Sequence, residues 1–168
     1  NKLLYEKAKK GKIVARLKGG DPFVFSRGFE EALYLKRKKI DFEIIPGITS
    51  ALAGPESFGI PLTRKGKYSS LAVLTGRKSY AESIDAPKAD TLVYVMGVSN
   101  VKNIIKALRK SGRQGSTPCA FIERATTKDE RIITGNLMNI VSKAQKYAVR
   151  APAVFVVGEV VNYGKKIY

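Results

Sequence analysis

Residues 12–31, KIVARLKGGDPFVFSRGFEE, confine the fold more than any other stretch: a short apolar run enters Gly19-Gly20-Asp21-Pro22 and leaves it as a helix pattern. A strand that turns through glycines into a helix is the building unit of layered α/β proteins, and open α/β sheets bind small molecules at the carboxyl ends of their strands. Gly19 and Gly20 let the backbone approach a ligand closely, because neither has a Cβ and both tolerate positive φ. Asp21 contributes one fixed carboxylate and Pro22 stiffens the exit. The same four residues also make a good turn with no ligand at all. The dinucleotide spacing Gly-x-Gly-x-x-Gly is missing, and so is a Walker loop.

The rest of the chain repeats the alternation. A helix is expected over 1–10, stopped by Gly11, then a strand over 13–17, a helix over 28–39, a strand over 42–45 and a helix over 48–58 opened by Thr49-Ser50. The Pro- and Gly-rich stretch 59–66 reads as a connection, which divides the chain into lobes 1–62 and 63–168. Beyond it, strands are expected over 71–74, 91–96, 118–123, 131–134 and 153–157. A polar loop runs to Lys88, and helices are expected over 101–110 and, capped by Asn136, over 137–144. The fold class is therefore α/β in both lobes, with mixed sheets and helices on both faces. Thr49 serves as an ordinary helix cap, and the free amides there would also hold an anionic group. Met96 suits core filling, yet its place at a strand's carboxyl end keeps ligand contact open.

Composition narrows the chemistry. With no histidine among 168 residues, His-based triads and most catalytic zinc sites are excluded, and no metal is expected. The lone Cys119 lies in an apolar run, so it reads as a buried, inert thiol in a cytoplasmic chain with no disulfide. No apolar run approaches the ~20 residues of a membrane span and no secretory leader is visible. Lys and Arg number 31 against 14 Asp and Glu, and the resulting +17 attracts polyanions. Most of that surplus is lysine scattered over helix surfaces, the usual pattern of a solvated fold, and no nucleic-acid recognition motif accompanies it.

Six segments, RLKGGDPFVFSRGFEE, IIPGITSA, GIPLTRKG, TLVYVMGV, ERATTKDERIITGNL and PAVFVVGEVV, resemble in order and spacing the uroporphyrinogen-III C-methyltransferases of the tetrapyrrole methylase superfamily. Related cobalamin-pathway methylases and diphthine synthase share the plan but generally lack the Gly-Gly-Asp-Pro-Phe wording. The resemblance implies a two-lobed, homodimeric enzyme that binds S-adenosylmethionine (SAM) in a cleft and methylates uroporphyrinogen III to precorrin-2, on the way to siroheme and cobalamin. Carried over by position, it makes Gly19, Gly20, Asp21, Val24, Thr49, Ser50, Met96 and Ala125 cofactor contacts. Arg27 and Arg64, beside two of these segments, are candidates for the substrate's carboxylates. The chain departs from the family at Arg77 (usually His), Ser26 and Ala125 (usually Gly) and Tyr94, which stands one place early.

The family's first strand, its glycine-proline-glycine-aspartate loop and its acid/base Asp and Lys have no counterpart from Asn1 onward. The chain thus reads as a truncated form with an incomplete first lobe, weak or absent turnover, unassigned catalytic residues and an exposed sheet edge that favours self-association. The alternatives are another precorrin methylase, a basic binding module without catalysis, and a remnant that acts only as a dimer partner.

Overall fold

The computed structural model describes the backbone of residues 1–77 and 83–166 and the side chains through residue 164. The chain forms two compact units, residues 1–49 and 50–168.

The first unit holds two helices, α1 (Lys2–Lys9) and α2 (Gly28–Arg37). In α2, Glu30 and Glu31 occupy the first turn and Lys36 and Arg37 the last, the arrangement that complements a helix dipole. Glu31 accepts hydrogen bonds from Lys18 Nζ (2.9 Å) and Arg16 Nε (3.3 Å), which ties the segment before the glycine loop to α2. Those cations, Lys18 foremost, hold the Glu31 carboxyl below its ordinary value.

The strands expected over 13–17 and 42–45 are absent from this unit. The residue types suit a strand, but a strand is defined by a hydrogen-bonded neighbour, and among the described residues neither segment has one. Their apolar side chains stand correspondingly open: Ile13 is fully exposed, Leu17 84% and Ile45 73%.

The second unit begins with α3 (Ser50–Ser57) and carries the sheet: β1 (Leu71–Thr75), β2 (Thr91–Val95), β3 (Pro118–Glu123), β4 (Arg131–Asn136) and β5 (Ala153–Val157). α4 (Val101–Lys110) links β2 to β3 and α5 (Ile140–Lys146) links β4 to β5. The strand order is β1-β2-β5-β3-β4, with β1 and β2 parallel and the other neighbours antiparallel. This is the mixed α/β architecture expected. β2 is buried along its whole length, as a continuous apolar run in a central strand requires.

Alternation sends Leu92, Tyr94, Cys119, Phe121, Phe155 and Val157 to a core shared with Ile104 and Leu108 of α4 and Ile140 of α5. On the opposite face Val93, Val95, Ala120, Ile122, Val154 and Val156 meet Ala51 of α3 and Val160 and Val161 of the closing 3-10 helix (Glu159–Lys166). Helices therefore cover both faces. At the strand starts, Asp90 accepts from Ser69 N (2.8 Å), Ser70 N (2.9 Å) and Ser70 Oγ (2.7 Å), a clasp between β1 and β2.

The start of one helix shifts by three residues. α5 starts at Ile140 rather than 137, because Asn136 Oδ1 takes the amides of Met138 and Asn139 (3.0 and 3.1 Å) and spends three residues on a turn. Part of the loop read ahead of Lys88 lies at 78–82, outside the described residues. No helix among the described residues is long and apolar enough to cross a membrane.

Burial sets an alkaline limit on this core. It pushes the Tyr94 phenol, whose hydroxyl donates to the Asp85 carbonyl at 2.7 Å, up to about 12, and the Cys119 thiol also to about 12. Unfolded, these groups lose their protons near pH ~10 and ~8.5. The folded state therefore binds more protons in between, so stability is complete below the unfolded values and falls as pH rises through them toward 12. Urea midpoints should decline steadily across that window, and Tyr94→Phe should flatten its upper part. A wild-type profile that stays level to pH 12 would refute the assignment.

Candidate functional site

In the first unit the glycine loop folds against the segment Ile45-Pro46-Gly47-Ile48-Thr49. Gly20 has φ of 78°, and a Cβ there would come within 3.6 Å of the Ile48 carbonyl and 3.7 Å of Thr49 Cα. Gly47 is packed harder still: a Cβ would run into the Gly20 carbonyl and lie 3.3 Å from Asp21 Cα. Asp21 fastens the two loops. Its Oδ1 accepts from Phe23 N at 2.8 Å and its Oδ2 from Gly47 N at 3.1 Å. The Phe23 amide foremost, then that of Gly47, holds the Asp21 carboxyl below the usual carboxylate range, so at neutral pH it is a charged acceptor.

Gly19 differs from its neighbours. Its φ lies outside the positive region and a Cβ there would meet no protein atom within 4 Å. Neither backbone conformation nor packing within the described protein calls for glycine at this position. It is an open backbone surface at the mouth of the loop.

Downstream, the Gly28 amide donates to the Pro22 carbonyl at 3.1 Å, and a Cβ on Gly28 would press to 3.0 Å from Pro22 C and 3.2 Å from Phe23 Cδ1. This contact seats the loop on the start of α2, where Phe23 and Phe29 meet edge to face at 6.1 Å. Val24 is 39% exposed in the bend, and Arg27 is exposed ahead of α2. The structure thus brings Gly20, Asp21 and Thr49 together, with Gly19 and Val24 on the same loop.

In the second unit, β1, β2 and β3 run the same way, so their carboxyl ends share one edge of the sheet with the starts of β4 and β5. Met96 leaves β2 with φ of 55° and stands 47% exposed. It is followed by Gly97, where a Cβ would sit 2.8 Å from Ile104 Cδ1, and Gly76 approaches Gly97 so closely that a Cβ there would reach 3.0 Å from its amide nitrogen. Asn100 Nδ2 donates to the Gly76 carbonyl at 2.9 Å. These contacts draw the ends of β1 and β2 into one tight corner.

Ala125 follows β3 at the same edge and packs beside α3, where a Cβ on Gly54 would stand 3.7 Å from the Ala125 Cβ and 2.8 Å from Val154 Cγ2. Ser50, at the start of α3, is exposed. Ser50, Met96 and Ala125 therefore belong to the sheet-bearing unit. Arg64 is already engaged: its guanidinium donates to the Tyr163 hydroxyl and stacks 4.8 Å from that ring's centre.

Sequence reasoning passed over Gly47, Gly76 and Gly97, whose need for glycine arises from contacts rather than local wording. It also passed over the Arg131–Glu123 pair at the β3–β4 edge, where Glu123 is 2% exposed.

The chain matches the family model of the Tetrapyrrole (Corrin/Porphyrin) Methylases over residues 1–141. It is 51% identical over 168 residues to the uroporphyrinogen-III C-methyltransferase of Methanocaldococcus jannaschii, an alignment that takes in 96% of this chain and 69% of that protein. The uroporphyrinogen-III C-methyltransferase of Bacillus subtilis is 43% identical over 173 residues, covering 99% of this chain and 67% of its own length. Among solved structures, a uroporphyrin-III C-methyl transferase from Thermus thermophilus complexed with S-adenyl homocysteine aligns with a TM-score of 0.80 at 38% identity, over 96% of this chain and 72% of that one. The chain spans about two thirds of the length of the curated relatives it matches.

Proposed function

This chain belongs to the tetrapyrrole methylase family, and from that premise we propose that it is part of a SAM-dependent uroporphyrinogen-III C-methyltransferase. The observation that carries the reading is the 51% identity to such an enzyme over 168 residues.

The geometry supports the same assignment. Gly19 offers backbone that a ligand can approach without displacing protein, and Asp21 holds that backbone against Gly47. Glycine backbone and helix-start amides are what the amino-acid and nucleoside ends of SAM need around them. We propose Gly19, Gly20, Asp21, Val24 and Thr49 as its contacts in the first unit and Ser50, Met96 and Ala125 in the second. Bound SAM would supply an electrophilic methyl group on its sulfonium, so the protein's task is to position it against a nucleophilic carbon. A chain without histidine can do that. The substrate's carboxylates suit a protein of charge +17, and Arg27, exposed and with no side-chain hydrogen bond or ion pair among the described residues, is a better candidate clamp than Arg64, which Tyr163 already holds.

We further propose residues 1–62 as the remainder of an N-terminal lobe and 63–168 as the C-terminal lobe, and for the whole enzyme a cytoplasmic location and a homodimer. Light scattering at a single-chain mass of 18.4 kDa would count against it.

Calorimetric titration with S-adenosylhomocysteine tests the cofactor site. Micromolar binding is expected, and Asp21→Ala should weaken it at least tenfold by releasing the Gly47 loop. A folded wild-type chain that binds none would overturn the reading.

A further inference from the structure

We propose that an arginine-lined cavity beside Ala125, formed by Glu123, Arg124, Arg131, Tyr147 and Arg150, takes a carboxylate arm of the tetrapyrrole substrate. The cavity measures about 370 Å³. The ligand's identity rests on the function proposed above; the anion site itself rests on the following geometry.

Glu123 and Arg131 build the floor. The Glu123 carboxylate is buried and fully used: one oxygen takes the Arg131 guanidinium and the other accepts from Arg150 N at 2.7 Å. Arg131 also donates to the Tyr147 and Ala148 carbonyls at 3.0 and 3.3 Å. This pair is internally compensated and immobilised, so it leaves no negative charge free to satisfy further cations. Yet two more arginines, Arg124 and Arg150, line the same space, and neither guanidinium has a hydrogen bond or ion pair among the described residues. The lining therefore carries two positive charges in excess.

A solvated surface patch is the plainer account, and three features weigh against it. The chain's scattered surplus is mostly lysine, whereas every cation lining this cavity is an arginine, whose planar fork matches a carboxylate bidentately. Of the two lining residues held in the left-handed region without glycine's freedom, Ala148 (φ 48°) is the ordinary cap of α5, its amide and that of Val149 donating to the Gln145 and Ala144 carbonyls at 3.1 and 2.8 Å, whereas Arg124 (φ 47°) lies outside any helix end. A left-handed residue outside a helix cap is of the kind that gathers at ligand sites.

The third feature is position. The cavity opens at the sheet edge that carries Met96 and Ala125, and β2 and β3 are separated there only by β5. Two strand spacings amount to about 10 Å. A macrocycle reacting near Met96 would reach that far with an acid side chain.

The test uses uroporphyrin III, the stable oxidised porphyrin with the same carboxylate arms, titrated by fluorescence against the 168-residue chain. The double variant Arg124→Gln/Arg150→Gln should weaken binding at least tenfold and reduce its salt dependence, while affinity for S-adenosylhomocysteine stays unchanged. Both substitutions leave the Glu123–Arg131 pair intact, and circular dichroism checks the fold. Lys106→Gln/Lys110→Gln removes equal charge from the exposed side of α4 and should leave porphyrin affinity within twofold, which separates a site from the general field. Equal weakening by both double variants, or by neither, would overturn the proposal. A wild-type chain that binds S-adenosylhomocysteine but no uroporphyrin would overturn the subsite and spare the methyltransferase reading; one that binds neither would overturn both.

Discussion

Replacing Phe155 by alanine is expected to cost about 3–5 kcal/mol of stability, the upper range for a fully buried aromatic. Phe155 is wholly buried at the centre of β5, the strand that joins β2 to β3. Its ring stacks on Phe121 at 4.6 Å between centres and meets Tyr94 at 6.4 Å, and it lies in register with both. The cavity left behind would lie under α4 and α5 with strands on either side, where rigid neighbours cannot collapse to fill it. Since folded domains are stable by only ~5–15 kcal/mol, such a loss takes away a large part of the total. Urea unfolding measures it. Phe155→Leu should cost much less, and the Phe121→Ala/Phe155→Ala double should fall short of the sum of the singles, because the two rings share one interaction. A loss below ~1 kcal/mol would mean that the core repacks around the gap.

The second unit was readable in the sequence because its central strands β2, β3 and β5 are buried and spell themselves out as apolar runs; TLVYV and AVFVV could hardly be anything else. The first unit was not. Segments 13–17 and 42–45 have the right residue types, but pairing is a property of two segments and cannot be read from one. Asn136 and Asn139 posed a local version of the problem. Each suits a helix start, and the choice falls to Asn139 because Asn136 turns its carboxamide oxygen to the two amides ahead of the helix.

The candidate site divides in the same way. Gly19-Gly20-Asp21-Pro22 was visible as wording, whereas its dependence on Gly47, 26 residues away from Asp21, emerged only with the fold. Arg64 was chosen for its neighbourhood in sequence, and the residue that engages it lies 99 positions on. Arg124, Arg131 and Arg150 escaped notice for the converse reason: they come together only in the fold, where the Glu123 carboxylate binds the Arg131 guanidinium and the Arg150 backbone amide beside its chain neighbour Arg124.

Gly19 offers the cleanest separation of fold from function. Gly19→Val should leave the loop intact, since a Cβ there meets no protein atom within 4 Å and φ is not positive. Its unfolding midpoint should therefore stay close to wild type. The branched side chain would, however, stand on the backbone that we assign to the cofactor. S-adenosylhomocysteine affinity should drop at least tenfold, which corresponds to ~1.4 kcal/mol or more. Gly47→Ala is the contrasting case: its Cβ has nowhere to go against the Gly20 carbonyl, so loop structure and binding should fail together. If Gly19→Val binds as well as wild type while remaining folded, the open glycine surface is not where the cofactor lies. If instead it unfolds as readily as Gly47→Ala, the space beside Gly19 is not open. The two results point to different errors, which is why the pair of variants is more informative than either alone.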